Sequence, residues 1–247
     1  MSRTVGEIAR GPVGTADELP IPGDPEALPA QELIARLVER FGDGLALACS
    51  FQKEEAVLLD MLLEVDPRAR VFALDTHVLF PETYEVWRAI EARYGITVET
   101  FEGPSLGRQA ALHGERLWER DPDACCGIRK VEPLGRALAG LDCWITGVRR
   151  EQSPTRANAP KLGYDGGHGL WKASPIADWD EARVWEFIGA RDLPYNPLHD
   201  RGYASIGCTH CTLPGSGREG RWSGRGKTEC GLHPGGGPAR GASGGIA

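Results

Sequence analysis

Cys125 and Cys126 stand side by side, and Cys208-Thr209-His210-Cys211 answers them far downstream. Four soft ligands gathered in two tight groups are what an iron–sulfur or a zinc centre requires. Adjacent side chains on a helix diverge by about 100°, and on a strand they point to opposite faces. Two neighbouring thiolates therefore suit a bulky cluster with separated irons, while the C-x2-C pair alone suits a structural zinc with Zn–S near 2.3 Å. Spacing leaves both metals open. A fifth thiol, Cys230 in Lys227-Thr228-Glu229-Cys230-Gly231-Leu232-His233, lies in a stretch with twelve glycines between residues 215 and 247. Such a stretch is costly to order without a ligand or partner, so Cys230 is expected to be a mobile, reactive thiol. Cys49 and Cys143 lie in or beside apolar runs and are expected to be small core residues.

Basic residues form the second constellation. Gly147-Val148-Arg149-Arg150-Glu151-Gln152-Ser153-Pro154-Thr155-Arg156 follows an apolar run and places three arginines in eight residues, where guanidinium forks suit phosphate or sulfate. Arg218 and Arg221, just before Cys230, extend the same logic, since an anion there would draw the tail down over itself. Ser50-Phe51-Gln52-Lys53 opens a helix directly after a strand, a setting for an anion site at a helix N-terminus or simply for Ser50 as an N-cap. Leu74-Asp75 ends another strand and can meet an adenine edge or a ribose, or can simply close the strand.

These residues need a scaffold, and the pattern from Gln31 onward alternates helix and strand. The spacing predicts helices over 31–41, 54–64, 81–94, 106–118 and 128–138, the last two flanking the cysteine pair, with strands at 45–49, 71–74, 97–101 and 143–146. The order implies an α/β fold: an open, mostly parallel sheet with helices on both faces, binding its ligand beyond the carboxyl ends of the strands. Residues 177–188, with Trp179 and Trp185, are expected to form a capped amphipathic helix. Residues 1–29, rich in Pro, Gly and acids, are expected to be a flexible leader, 30–214 the main domain and 215–247 a mobile tail.

A formal charge of −7 argues against a general nucleic-acid or anionic-membrane binder. There is no secretory h-region and no long apolar run, so the expectation is a cytoplasmic protein whose cysteines serve as ligands or in chemistry.

Taken in order, Ala46 to His233 resembles the assimilatory adenylyl-sulfate (APS) reductases. The likeness rests on Cys125-Cys126 with Cys208-x-x-Cys211, on Gly147-x-Arg149-Arg150-x-Gln152-Ser153-Pro154, on Leu74-Asp75-Thr76 followed by Pro81-Glu82-Thr83-Tyr84, and on Glu229-Cys230-Gly231-Leu232-His233. The related 3′-phosphoadenylyl-sulfate (PAPS) reductases generally lack the two cysteine pairs. The resemblance implies an adenine-nucleotide alpha-hydrolase-like fold and a four-iron, four-sulfur (4Fe-4S) cluster on Cys125, Cys126, Cys208 and Cys211. It also implies a Cys230 nucleophile that takes the sulfur of APS as an S-sulfonate, releases AMP and is reset by thioredoxin or a glutaredoxin-like dithiol, in sulfate assimilation and cysteine biosynthesis. Ser50, Leu74, Lys130, Gly147, Arg149, Arg156, Arg218, Arg221 and His233 match positions around the substrate. Gln52-Lys53-Glu54-Glu55 departs from the smaller residues usual in the phosphate loop.

A cluster with four thiolates carries about −2 and APS is itself a dianion, so cations must separate them, with Arg129 and Lys130 the candidates. Three rivals remain: a PAPS reductase, a tRNA-thiolating enzyme of the same superfamily, which lacks its Ser-Gly-Gly loop here, and a zinc-organised binding module, which leaves Cys230 and the arginine loop unexplained.

Overall fold

A computed structural model describes residues 18–233. Its centre is a six-stranded sheet in the order β3-β2-β1-β4-β6-β5. The strands are β1 (Leu45–Ala48), β2 (Arg70–Asp75), β3 (Glu99–Glu102), β4 (Cys143–Ile145), β5 (Leu162–Asp165) and β6 (Leu170–Ala173). All neighbours pair in parallel except β5, which runs antiparallel along β6 at one edge.

Period-two alternation along β1 divides the core. Leu45 and Leu47 join the larger apolar cluster with Leu33, Ile34 and Leu37 of α1 (Ala30–Phe41) and Leu58, Leu59 and Leu62 of α2 (Lys53–Val65). Ala46 faces the other way, against Phe72, Trp144, Leu134 and Leu138. Helices thus cover both faces, as a parallel sheet requires. Helix α2 is buried along most of its length, and truncating one of its fully buried leucines to alanine would cost about 2–5 kcal/mol. Helix α3 (Pro81–Tyr94) starts on proline and stops at Gly95, whose φ of 65° a side chain would resist.

Several features differ from expectation. The helix over 106–118 is two pieces, α4 (Leu106–His113) and α5 (Leu117–Arg120), because Gly114 and Arg116 take positive φ between them. The cysteine pair does not lie between helices. It closes α6 (Pro122–Cys126), capped by Asp121 at 2.9 Å from the Ala124 amide, and the helix runs on through a π turn, Gly127–Val131, into α7 (Glu132–Leu138). The hairpin of β5 and β6 was not anticipated. Last, residues 18–29 are part of the body. Ile21 is buried, Asp24 caps a short turn at Pro25–Ala27, and Glu26 bonds Arg150 and the Lys161 amide. The rest of the expected leader, 1–17, and the end of the expected tail, 234–247, lie outside the described residues. Helix α8 (Glu181–Arg191) begins after its Asp180 N-cap, four residues later than the expected start at Ala177, so Trp179 precedes it and packs in the core.

Candidate active site and thiol cavity

A cleft of about 300 Å³ opens where β1, β2 and β4 end. Between β1 and β4 the strand order reverses, the switch point at which doubly wound sheets hold their ligands. Ser50, Leu74, Gly147, Lys130, Arg156, Arg218, Arg221, Cys230 and His233 all line it, as does the backbone that opens α2.

The turn after β1 is tight. Phe51 takes φ 58° and stacks on Trp87 with ring centroids 4.7 Å apart, which swings Ser50 toward the cleft. Ser50 is not the helix cap; Gln52 holds that position without a side-chain bond, and the Ser50 hydroxyl donates to Glu55 at 2.8 Å. The unexpected Gln52 and Lys53 serve the neighbouring loop. Gln52 accepts from the Ile206 amide at 2.7 Å and Lys53 donates to the Ala204 carbonyl at 3.2 Å, so together they fix the segment that leads into Cys208. Burial, and then the charge of Glu54, push the Glu55 carboxyl up to about 7. Gly147 must be glycine, because a Cβ there would stand 2.5 Å from Glu55 Oε1 and 2.7 Å from Glu54 Cβ.

Arg149 lines the cleft as expected, but its charge already has protein partners. Its buried guanidinium is taken up by Glu54 and Glu151, each at 3.0 Å, and by the Trp179 carbonyl at 3.2 Å. Arg150 turns away to Ala159 and Glu26. Arg149 and Lys53 share the lining of the cleft with Arg156, with Lys130 on the π turn, and with Arg218 and Arg221 of the tail.

Behind Lys130 is the thiol cavity, lined by Cys125, Cys126, Cys208, Cys211, Val78, Trp118 and Arg129. Backbone pairing builds its second half: Leu79 bridges Cys208, the Thr209 amide donates to Val78 at 2.8 Å, and the Trp222 amide donates to Cys211 at 3.0 Å. Thr76, at the end of β2, lies 3.3 Å from Cys208 Sγ. Burial raises the Cys125, Cys126 and Cys211 thiols, Cys126 to about 12, so binding a metal there would displace protons. Among the described residues, the one trio of metal-type donor atoms within 4.8 Å of one another is Asp75, His77 and Glu102. No three of the thiols therefore lie within 4.8 Å of one another, whereas all four would stand roughly 3.8 Å apart around a single tetrahedral zinc. Arg129 is almost fully buried, donates to the Thr76 carbonyl at 2.8 Å, and has Nε and one Nη unpaired, which suits an anionic occupant of the cavity.

The described part of the tail closes over the cleft. Cys230 is 8 % exposed and packs on Cys126 and Trp222. Burial alone would raise its thiol, yet Lys130, the Leu232 amide, Arg221 and Arg218 together hold it below its ordinary value. Arg221 donates to Ser205 and to the Ile206 carbonyl, and Arg218, lowered to about 10 by burial and by Arg156, reaches Ser205 and Glu229. His233 stacks on Trp144 and meets Lys172. Lys172, Thr76 and Glu229 were not singled out from the sequence. Lys172 sits on a strand whose four residues carry no strong period, and Glu229 entered only as part of the motif around Cys230.

An open α/β sheet with a cationic cleft at its switch point and a thiol-bearing tail over it defines an enzyme of the nucleotide-binding type. Residues 44–214 match the phosphoadenosine phosphosulfate reductase domain family, and the chain belongs to that family. It is 48 % identical over 84 % of its length to the phosphoadenosine 5′-phosphosulfate reductase of Gloeobacter violaceus, covering 90 % of that protein. It is 47 % identical over 78 % of its length to the adenosine 5′-phosphosulfate reductase of Salinibacter ruber, covering 79 % of it. Among solved structures it resembles the phosphoadenylyl-sulfate reductase of Candida auris in a phosphate complex, with a TM-score of 0.68 and 32 % identity over 76 % of this chain and 91 % of that one.

Proposed function

We propose that this protein reduces APS to sulfite and AMP. The observation that carries the reading is the burial of Cys230, with its thiol lowered, at a cleft where Lys130, Arg156, Arg218 and Arg221 converge. The Cys230 thiolate attacks the sulfate sulfur, a sulfur–sulfur bond forms, the bond from sulfur to the bridging oxygen breaks, and AMP leaves with the bonding pair. The cations hold the phosphosulfate and offset the charge on the departing phosphate. A dithiol of the thioredoxin or glutaredoxin-like class then attacks Cys230 Sγ, expels sulfite and closes its own disulfide, which supplies the two electrons.

Cys125, Cys126, Cys208 and Cys211 would hold a 4Fe-4S cluster, as the spread of the thiols and the unpaired Arg129 favour. When bound, the cluster supplies a compact negative charge that orders the cations between the cavity and the cleft. The choice of APS over PAPS rests on those two cysteine pairs, since relatives of both names share similar identity. The described part of the tail, 215–233, lifts to meet the dithiol, and the reaction belongs in the cytoplasm, where assimilated sulfite feeds cysteine synthesis. Among the described residues no helix is long and apolar enough to cross a membrane.

The test is mass spectrometry. Incubated with APS and no reductant, the protein should release one equivalent of AMP and gain a sulfonate, about 80 Da, on the peptide containing Cys230, while Cys230→Ser should do neither and keep its iron. AMP release with an unmodified Cys230, or a sulfonate on another cysteine, removes the mechanism. A higher kcat/KM on PAPS removes the substrate assignment alone.

A further inference from the structure

The arginine fork that the reaction needs for its substrate is already holding a carboxylate. Arg156 donates to both oxygens of Glu229, through Nε and Nη2, each at 2.9 Å. Arg218 Nη2 donates to the same carboxylate at 3.0 Å, and the Thr155 hydroxyl donates to it at 3.2 Å. Two guanidinium groups and a hydroxyl around one carboxylate is the arrangement expected for a sulfate or phosphate. Glu229 also directly precedes Cys230, so whatever occupies the fork fixes the nucleophile's backbone. Burial by itself would raise the Glu229 carboxyl, yet Arg156 and Arg218 hold it below its ordinary value, so it stays anionic at neutral pH.

We infer that Glu229 is an internal anion that occupies the Arg156–Arg218 fork in the ligand-free protein and is exchanged for the substrate's phosphosulfate, so that the tail's resting latch and the substrate compete for the same two arginines. The inference rests on the reading that the substrate anion is held at this fork. The bland alternative is a permanent clamp in which Glu229 stays on Arg156 and Arg218 throughout, and the anion binds elsewhere in the cleft.

The geometry favours exchange. The three ends of the fork converge on Glu229 from different elements: Thr155 and Arg156 from the turn after β4, and Arg218 from the tail. Arg218 holds the Thr228 carbonyl at 3.2 Å with the same Nη2, so it can keep the tail backbone when the carboxylate leaves. Lys172 and Trp144 hold His233 on the far side of Cys230. The nucleophile is thereby suspended between two anchors. Release of Glu229 frees one of them, and a bidentate anion is what would release it.

Inorganic pyrophosphate, two linked tetrahedral anions without a nucleoside, is a probe that does not depend on which nucleotide the enzyme turns over. Exchange predicts that in the full-length, iron-replete protein Glu229→Gln binds pyrophosphate about fivefold or more tightly than wild type, because the competing charge is gone. It also predicts that pyrophosphate speeds alkylation of wild-type Cys230 by iodoacetamide about tenfold, as the latch opens, whereas Glu229→Gln is fast with or without it. A permanent clamp gives pyrophosphate affinity unchanged or weaker in Glu229→Gln and a wild-type alkylation rate indifferent to pyrophosphate; either result overturns the inference. The wild-type alkylation measurement stands even where the variant folds poorly. The proposed function fails separately, in turnover of APS by the wild type.

Discussion

Lys172 Nζ lies 3.1 Å from His233 Nδ1, a contact with room for one positive charge. Burial lowers Lys172 to about 8, and its ammonium also sits 5.0 Å from the Trp144 ring centre, against which His233 stacks. Burial, then Lys172, then Arg156 and Arg218, hold His233 well below its ordinary value. At neutral pH the lysine therefore donates to a neutral imidazole.

A lifted tail would return His233 to an ordinary imidazole, near 6.5, which binds a proton that the docked ring refuses. Docking is then fully present above that value and is lost as the pH falls through it toward the docked value. Hydrogen exchange of the tail amides should quicken below about pH 6, and Lys172→Met should shift that onset toward lower pH by relieving part of the depression. Protection that is flat from pH 8 to pH 5 would show that this contact does not hold the tail.

Glu55 gives a pH dependence of opposite chemistry. Its folded value of about 7, raised from 4.5 by burial and by Glu54, means that the native state binds a proton which the unfolded chain releases between those values. The stability it contributes is present below 4.5 and lost as pH rises through about 7, at most about 3 kcal/mol from the shift. In Glu55→Gln the melting temperature should fall less across that window than in wild type. An equal fall would move the cause to another group.

Iron content separates the cysteines. Cys208→Ser, which removes a thiol seated by the Leu79 bridge and by Thr76, should purify colourless and short of iron, and Cys211→Ser should do the same. Cys49→Ala should keep its iron, because Cys49 is buried in the main core away from the thiol cavity. Four irons lost from Cys49→Ala and retained in Cys208→Ser would invert the ligand assignment.

Much of this was legible in the chain because local chemistry and long-range position agreed. The strands at Leu45–Ala48 and Arg70–Asp75 are apolar runs bounded by clear helical periods, and the cleft falls where their order puts it. The β5–β6 hairpin was not legible: Leu170-Trp171-Lys172-Ala173 is four residues long and its partner holds a glycine and an aspartate. The helical continuity through the cysteine pair is hard to read from the chain, since Pro122 and Gly127 are residues that usually break a helix. In the fold Pro122 is a favourable helix start and Gly127 begins a π turn, so the breakers became parts of one helix. Glu229 was legible only as part of the motif around Cys230, since its partner Arg156 lies 73 residues back.

Arg149 provides the last prediction. Its position in an arginine-rich loop after β4 suggested a substrate contact, yet its guanidinium is 3 % exposed and locked on Glu54 at 3.0 Å. Removing one partner of a buried pair strands the other charge, at a cost of about 3–5 kcal/mol, whereas a lost substrate contact would spare the fold. Arg149→Met should therefore lower the unfolding midpoint sharply. The double variant with Glu54→Gln should recover part of that loss, because the stranded carboxylate is gone. Arg156→Met, by contrast, should change stability little, since the Glu229 it frees can turn to solvent, while KM for the nucleotide rises about tenfold or more. An Arg149→Met protein that melts like wild type but binds nucleotide poorly would restore Arg149 to the anion site and remove Arg156 from its place as the principal fork.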